Sequence, residues 1–318
     1  DISLIGGTVQ LKVKVDEDVV YQDLSGAYTI GDIDIDQNKS FNINASTLEA
    51  ISFTDASGLT FTAEIKDAAG NAKIGSVSTN VLTVDQTAPT FVSVTAADGT
   101  YKVGDDIDIT VTWDENVYVT GTPILTLSNG ATATYDSGTG GATLLFQYEV
   151  EVGNTDSPDL SVSSYSGTIR DAAGNAFTGT VSGDLGSVTV DANTPTLTSV
   201  SIASSNGTTL AKASDVITLT ITSNENISTP GVTMYIGDVE DEDNHVTPTV
   251  SGSGTSWTAT HTVGATENGS VTYTISFSDL AGNAGSQVTS GTGSVTVDTD
   301  APTFVSVTAA DGTYKVGD

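Results

Sequence analysis

Apolar and polar residues alternate with a period of two along much of the chain. Ile107, Ile109, Val111 and Trp113 are separated by single polar residues, and residues 272–277 repeat the pattern. Successive side chains of a β-strand point to opposite faces, so this period is typical of strands with one buried face. No window shows helical spacing over three turns. The pattern predicts an all-β protein with Trp113 in a core.

Turn signals separate the alternating segments. Asn-Gly or Asp-Gly pairs, which favour tight turns, occur at residues 98–99, 129–130, 206–207 and 268–269. About seven short strands per ~100 residues is the spacing of an immunoglobulin-like (Ig-like) β-sandwich. A jelly roll needs more strands than this length offers. We therefore expect tandem Ig-like β-sandwiches arranged end to end as a rod.

Internal repeats divide the chain into units. Residues 88–105 recur unchanged as residues 301–318. Three landmarks also recur in a fixed order: an acidic turn, an Asp-Xaa-Ala-Gly-Asn segment and a proline-containing linker. The acidic turns are residues 16–19, 114–117 and 224–227, the Asp-Xaa-Ala-Gly-Asn segments are residues 67–71, 171–175 and 279–283, and the linkers are residues 84–90, 190–196 and 297–303.

The linker aspartates mark the domain boundaries. Asp85, Asp191 and Asp298 lie 106 and 107 residues apart, and these spacings add up to the 213-residue offset of the perfect repeat. The duplicated unit is therefore a pair of diverged domains. Proline restricts the backbone, so we expect short, extended linkers. We predict Ig-like domains at residues 1–86, 87–193 and 194–300, and the first strand of a truncated fourth domain at 301–318.

The charge balance narrows the choice of partners. The 318 residues include 40 acidic and 9 basic ones, which gives a net charge of −31. Such a charge repels nucleic acid and anionic membranes, and it favours bound or screening cations. The chain has no cysteine, which excludes disulfides and zinc–thiolate sites. No run of 18 apolar residues is present, so we expect no direct membrane insertion.

Sandwich topology predicts where the landmarks meet. The loop after the second strand and the loop before the last strand both lie at the pole where the chain enters a domain. The acidic turn and the Asp-Xaa-Ala-Gly-Asn segment should therefore surround the incoming linker. The candidate metal ligands are Asp85, Asp114, Glu115, Asn116, Asp171 and Asn175 at the first junction, Asp191, Glu225, Asn226, Asp279 and Asn283 at the second, Glu17, Asp67 and Asn71 at the start of the chain, and Asp298 near its end.

Oxygen ligands from three separate segments suit Ca²⁺, which takes six to eight oxygens. Carboxylates held together without a cation repel, so a structural Ca²⁺ ion would tie the linker to the domain and stiffen the junction. The Asp-Xaa-Ala-Gly-Asn segment is also a good turn without metal, because its Asp accepts backbone N–H bonds and its Gly allows positive φ. The three-part recurrence favours the calcium interpretation.

The sequence offers little for catalysis. Its two histidines, His245 and His261, lack a nucleophile at a recognisable spacing. His261 shares a strand face with Trp257, Ala259 and Val263, and we expect it to point inward. The sequence therefore predicts a protein that is not an enzyme.

Asp-Ala-Ala-Gly-Asn, Val-Asp-Xaa-Thr-Ala-Pro-Thr and an acidic Glu-Asn-Val turn together resemble the bacterial Ig-like repeats of giant secreted or surface-anchored adhesins. The resemblance covers all three units, although Asn224 replaces the first acidic residue of the turn in the third. It implies an extracellular stalk at the bacterial cell surface with Ca²⁺ at its junctions. The implied calcium ligands are Asp85, Glu115, Asp171, Asp191, Glu225 and Asp279.

Two other functions stay open from the sequence. One is a subunit of a self-assembling extracellular filament or surface layer, whose partners are identical chains as well as neighbouring repeats. The other is a carbohydrate-binding repeat module, which needs exposed aromatic platforms. The sequence shows few aromatic candidates outside strand interiors.

Overall fold

The computed structural model describes residues 4–16, 18, 20–34, 37–237, 244–309, 311–313 and 315. Three hydrophobic cores follow one another along the chain. They draw on residues 11–84, 91–192 and 197–297, which we call the first, second and third domains. No helix in the described part of the chain is long and apolar enough to cross a membrane.

The first domain is built on one six-stranded sheet and has a small core of Val13, Val15, Leu24, Ile51 and Leu59. Its sheet order is β2-β1-β4-β5, with β3 beside β1 and β6 beside β4. The strands are β1 (Thr8–Val15), β2 (Gln22–Asp23), β3 (Tyr28–Thr29), β4 (Gly58–Lys66), β5 (Ala72–Ile74) and β6 (Leu82–Thr83), with a 3₁₀ helix at Asp32–Asp34 and one α-helix, α1 (Ala45–Glu49).

The second domain is organised around one long strand, β9. Its strands are β7 (Phe91–Thr95), β8 (Gly99–Lys102), β9 (Asp106–Leu127), β10 (Thr132–Ser137), β11 (Gly141–Glu149), β12 (Ser161–Arg170), β13 (Gly183–Asp184) and β14 (Val188–Asp191). The first half of β9 pairs with β7 and β11, and the second half pairs with β10 and β12. Trp113 is 2% exposed, which confirms the predicted core position.

The third domain is a sandwich of two sheets. Its strands are β15 (Leu197–Ser204), β16 (Leu210–Ala211), β17 (Val216–Ser223), β18 (Gly231–Ile236), β19 (His245–Val246), β20 (Thr249–Ser253), β21 (Ser256–Thr262), β22 (Gly269–Ser276) and β23 (Thr296–Val297). The sheets have the orders β15-β17-β21-β20 and β16-β23-β22-β18-β19. Alternate residues of both sheets meet in the core, which confirms the predicted all-β, Ig-like class.

The last strand of each complete domain leads directly into a linker. β14 pairs in parallel with β8, and Asp191 at its end lies opposite Lys102. β23 pairs in parallel with β16 in the same way. These pairings hold the outgoing linker against the start of its own domain.

The register of the first domain corrects one sequence-based assignment. β1 pairs with β4, the strand before Asp67, as β18 pairs with β22, the strand before Asp279. β1 is therefore the counterpart of a third long strand, and the acidic turn at residues 16–19 does not follow a second strand. Since β1 and β4 are antiparallel, Asp16, which follows β1, lies at the opposite end of the pair from Asp67.

Glu17 itself lies outside the described residues. Its neighbour Asp16 accepts a hydrogen bond from Gly58 N at 2.6 Å, at the start of β4. The expected site of Glu17 with Asp67 and Asn71 therefore stays a prediction. Periodicity alone could not show which strand of the fold β1 represents.

Candidate metal sites at the domain junctions

Three carboxylates from three segments converge at the first junction. Asp85 belongs to the linker, Glu115 lies where β9 passes from one set of partners to the other, and Asp171 follows β12. The pairing of Arg170 with Tyr118 brings the end of β12 beside the middle of β9. One oxygen of each carboxylate lies within 4.8 Å of the other two.

The second junction repeats this arrangement. Asp191 of the linker, Glu225 after β17 and Asp279 after β22 also place carboxylate oxygens within 4.8 Å of one another. Asp191 and Glu225 are half-buried, and Asp279 is 2% exposed. The structure thus brings together the six residues that the family resemblance singled out, three at each junction.

The buried aspartate of each cluster is fixed by its own loop. Asp171 Oδ1 accepts hydrogen bonds from Gly174 N at 2.6 Å and Asn175 N at 2.8 Å, and Oδ2 accepts one from Asn175 Nδ2 at 2.7 Å. Gly174 has a φ of +101°, which the turn requires. A carboxylate oxygen can accept about two hydrogen bonds, so Oδ2 keeps a free lone pair for a cation. The metal-free turn and a cation site are compatible.

Asp279 repeats these bonds with Gly282 N at 2.7 Å, Asn283 N at 2.8 Å and Asn283 Nδ2 at 2.9 Å. Asp67 bonds Asn71 N and Asn71 Nδ2, each at 2.8 Å. The segment therefore forms the same turn in all three domains.

Repulsion between the clustered carboxylates helps to raise the pKa values of the two glutamates. Burial raises the pKa of Glu115, and the nearby charges of Asp171 and Asp85 raise it further. The half-buried Glu115 carboxylate accepts no hydrogen bond from any residue that the structure describes. A desolvated anion that faces two others and lacks a donor is a favourable ligand for a cation.

The second cluster is more strongly desolvated. Burial raises the pKa of Glu225, with a further contribution from Asp191, and burial followed by the charge of Asp279 raises the pKa of Asp191. The pKa of Asp171 moves the other way: burial opposes ionisation, but the hydrogen bonds from Asn175 and the backbone outweigh it. The buried Asp171 is thus held ionised beside Glu115, whose ionisation is opposed by burial and by neighbouring charges.

The two loop asparagines brace the linkers with their amide groups. Asn175 Nδ2 donates to Asp85 O at 3.0 Å, and Asn283 Nδ2 donates to Asp191 O at 2.9 Å. Asn283 Oδ1 accepts from Val103 N of the preceding domain at 2.9 Å. Asn283 therefore connects its own loop, the linker and the preceding domain, and its oxygen is already engaged.

Asp114 lies beside the cluster but points to the linker. Its carboxylate accepts hydrogen bonds from Thr90 N at 2.8 Å and Thr90 Oγ1 at 2.6 Å, and these bonds lower its pKa. Asn224 accepts from Thr196 N at 2.7 Å at the equivalent position. The Asp-to-Asn departure in the third domain thus preserves this hydrogen bond.

The remaining predicted ligands are Asn116, Asn226 and Asp298. Asn116 and Asn226 are exposed residues next to the cluster glutamates. Asp298 follows β23 and accepts a hydrogen bond from Asp300 N at 3.1 Å. No described loop of a following domain accompanies it.

Sequence reasoning missed two further aspartates at the junctions. Asp55 of the first domain and Asp156 of the second belong to the domain that precedes each linker, and both bond to linker residues. Their charges also raise the pKa of Glu115 and of Asp191, respectively. They belong to no repeated motif, so only the structure reveals their position.

The histidines form no catalytic arrangement with the residues that the structure describes. His261 is half-buried on the face of Trp257 and Ala259, as expected, and its Nε2 lies 2.9 Å from Glu267 Oε2. Glu267 also accepts from Gly264 N at 3.0 Å. The pair braces a surface loop of the third domain.

No protein-family model matches the chain, and no curated protein matches it. Solved structures match most of its length at low similarity. The FN1–FN3 domains of chicken CNTN1 cover 91% of this chain and 88% of their own, with 12% identity and a TM-score of 0.28. A tetra-tandem repeat in the extending region of a large adhesion protein covers 93% and 68%, with 19% identity and a TM-score of 0.26. A DUF4785 family protein from Legionella pneumophila subsp. pneumophila covers 91% and 82%, with 11% identity and a TM-score of 0.26. None of these similarities identifies a family.

Proposed function

We propose that this protein is a non-enzymatic extracellular stalk of tandem Ig-like domains at a bacterial cell surface, and that Ca²⁺ stiffens its junctions. The observation that carries the proposal is the repeated cluster: at each of the two junctions, a linker aspartate lies within 4.8 Å of carboxylates from two separate segments of the following domain. A cation bound there would join the linker to the domain in two independent places. Repetition makes this a property of the array.

The chemistry of the cluster favours calcium over other common ions. All three side chains offer hard carboxylate oxygens, and no histidine or cysteine is among them. Ca²⁺ accepts irregular oxygen sites and can complete its shell with water and carbonyl groups, whereas Mg²⁺ demands near-octahedral geometry. The carboxylates of Glu115 and Asp171 supply the negative charge that attracts the ion. Glu115 has no hydrogen-bond donor among the described residues, and Asp171 Oδ2 keeps a free lone pair, so both can act as ligands.

Calcium titration of the whole chain tests the proposal. We expect saturable binding of Ca²⁺ at two sites by isothermal titration calorimetry. Ligand binding to the native state alone stabilises it by about 2.7 kcal/mol when free ligand is 100 times Kd. Small-angle X-ray scattering should show a longer, stiffer particle in calcium than in chelator. Identical scattering and melting curves in both conditions contradict the proposal.

A matched pair of variants separates the sites from general charge effects. Glu115→Gln combined with Glu225→Gln removes one carboxylate ligand from each cluster. We expect the calcium affinity to fall by at least about tenfold. Glu149→Gln combined with Glu151→Gln removes two charges from the surface of the second domain. The control should bind as the native chain does.

A groove on the third domain keeps carbohydrate binding as a second candidate function. It measures about 510 Å³ and is lined by Tyr235, His245, Thr272 and Thr274 among others. Tyr235 and His245 pack edge to face at 4.6 Å on the outer face of the sheet. An aromatic ring beside hydroxyl groups can stack on a neutral sugar. Glycan-array binding that Tyr235→Ala abolishes would support this candidate, and silence on the array would remove it.

A further inference from the structure

Each linker is held by the domain that it leaves, through one side chain. Asp55 of the first domain accepts hydrogen bonds from Gln86 N at 2.6 Å and Thr87 Oγ1 at 2.5 Å. Gln86 directly follows the linker aspartate Asp85, and its backbone N–H therefore donates to the domain that precedes the linker. The carbonyl oxygen of Asp85 accepts a hydrogen bond from Asn175 of the following domain.

The second linker has the same arrangement. Asp156 accepts from Ala192 N at 2.8 Å and from Asn193 Nδ2 at 2.6 Å. Ala192 directly follows the linker aspartate Asp191. The carbonyl oxygen of Asp191 accepts a hydrogen bond from Asn283 of the following domain. In each linker, the C=O and the N–H of a single peptide group are thus held by different domains.

The third linker uses an asparagine in this position. Asn268 Oδ1 accepts from Thr299 N at 2.7 Å and Thr299 Oγ1 at 3.2 Å, and Thr299 directly follows Asp298. The three loops share little sequence around the holding residue, yet each bonds the same linker position. A neutral amide is sufficient for this bond, so its role is geometric.

The position of these residues links successive junctions. Asp55 precedes β4, Asp156 precedes β12 and Asn268 precedes β22, and each of these strands is followed within three residues by the aspartate of the Asp-Xaa-Ala-Gly-Asn turn. In the second and third domains, one strand therefore has a contact to the outgoing linker near its start and a contact to the incoming linker near its end. A hydrogen-bonded strand is stiff along its length, so it transmits orientation from one junction to the next.

We infer that Asp55, Asp156 and Asn268 are positioning residues that clip each linker to the domain it leaves and so set the angle between successive domains. The clip rests on direct hydrogen bonds and not on a cation. It acts through the linker on the placement of Asp85 and Asp191. This inference goes beyond calcium binding and holds whether or not an ion occupies the clusters.

Distances between spin labels in chelator test the clip directly. The chain has no cysteine, so Thr143→Cys and Ser253→Cys, both at exposed positions, label the second and third domains selectively. Double electron–electron resonance then measures the spread of interdomain distances. We expect a narrow distribution in the otherwise native chain and at least a twofold broader one for Asp156→Ala.

Two further variants distinguish positioning from loss of charge or of folding. Asp156→Asn keeps an acceptor for Ala192 N, and a flip of the Asn193 amide preserves the second bond, so its distribution should stay narrow. Asp159→Ala removes the same charge from the same loop and should also leave the distribution narrow. Circular dichroism confirms that each variant is folded. A native distribution for Asp156→Ala overturns the inference, as does broadening of equal size in Asp159→Ala.

A calcium titration of the same variants separates this inference from the proposed function. If the native chain binds calcium, Asp156→Ala should weaken the second site by about tenfold, as groups that orient metal ligands commonly do. If the native chain binds no calcium but Asp156→Ala still broadens the distances, the proposed function fails and the clip stands. If the native chain binds calcium but the interdomain distances are unchanged in Asp156→Ala, the proposed function stands and the clip fails.

Discussion

At the scale of single residues, two neighbouring positions at each junction have different roles: one forms a hydrogen bond to the linker, and the other contributes charge to the carboxylate cluster. Asp114 and Asn224 hold the residue after the linker proline with the same backbone bond, although one is charged and the other is neutral. Glu115 and Glu225, one residue later, face the clustered carboxylates and have raised pKa values. The first position thus serves to anchor the chain, and the second is suited to hold a cation.

Asp114→Asn should therefore be nearly neutral. The amide keeps an acceptor for Thr90 N, so we expect the free energy of unfolding to change by less than about 0.5 kcal/mol. Asp114→Ala leaves that N–H without its partner and should cost about 1–2 kcal/mol. Urea denaturation measures both. Equal losses in the two variants would show that charge, and not the hydrogen bond, is what matters at this position.

Glu225→Gln should stabilise the third domain in chelator and weaken calcium binding. Folding raises the pKa of Glu225, so the folded state binds protons more tightly than the unfolded state, and ionisation of this group destabilises the fold. The neutral amide removes that penalty. Fluorine NMR of fluorotryptophan can follow melting of this domain, because Trp257 is its only tryptophan. A lower melting temperature in chelator would contradict the expectation.

The same linkage predicts the effect of pH. Glu115, Asp191 and Glu225 have raised pKa values, so in chelator their contribution should increase stability as the pH falls from neutral towards the carboxyl range of about 4–5. Asp171, with its lowered pKa, gives the opposite slope, at lower pH. With calcium present, acidification should instead destabilise, because protons displace the ion. Thermal melts across this range in both media test the change of sign.

At the scale of elements, one turn joins the second domain to the third. Lys102 N donates to Asp105 Oδ2 at 3.0 Å, and Lys212 N donates to Asp215 Oδ2 at 2.9 Å, so both domains form the same turn before a long strand. In the second domain, Val103 at the tip of this turn donates its N–H to Asn283 of the third. The turn contacts the next domain without help from a cation.

Val103→Pro removes this donor, and it also replaces a partly buried valine that packs against the second core. Lys102 ends β8 in extended conformation, which suits a residue before proline. We expect broader interdomain distances and a loss of about 1 kcal/mol, the usual worth of one hydrogen bond. Ala213→Pro, at the same position of the turn in the third domain, is the control and should leave the distances between the second and third domains unchanged.

At the scale of the whole molecule, the net charge of −31 sets the conditions for compact junctions. The described ion pairs are few, and the junction clusters concentrate like charges where domains meet. Raising the ionic strength from about 0.01 M to about 0.15 M shortens the Debye length from about 30 Å to about 8 Å. Salt should therefore raise the melting temperature in chelator by several degrees and have a smaller effect in calcium. A larger effect of salt in calcium would contradict this.

Much of the fold followed from the sequence because it depends on local periodicity. Alternation placed Trp113 and Ile107 in the core, and the recurring landmarks located the six cluster carboxylates. Local pattern could not decide which strand β1 represents, because every strand has the same period of two. It also could not locate Asp55 and Asp156, since these meet the linker through the fold and not through a motif.

The sequence and the tertiary structure determined different features of this protein. Residues 91–95 form β7, and Val94 is 6% exposed because it packs into the second core. The sequence by itself determined the alternation, the landmarks and the duplicated pair of domains. Tertiary structure decided which carboxylates met and which residues of the preceding domain hold each linker, because these contacts join residues that are distant in the chain.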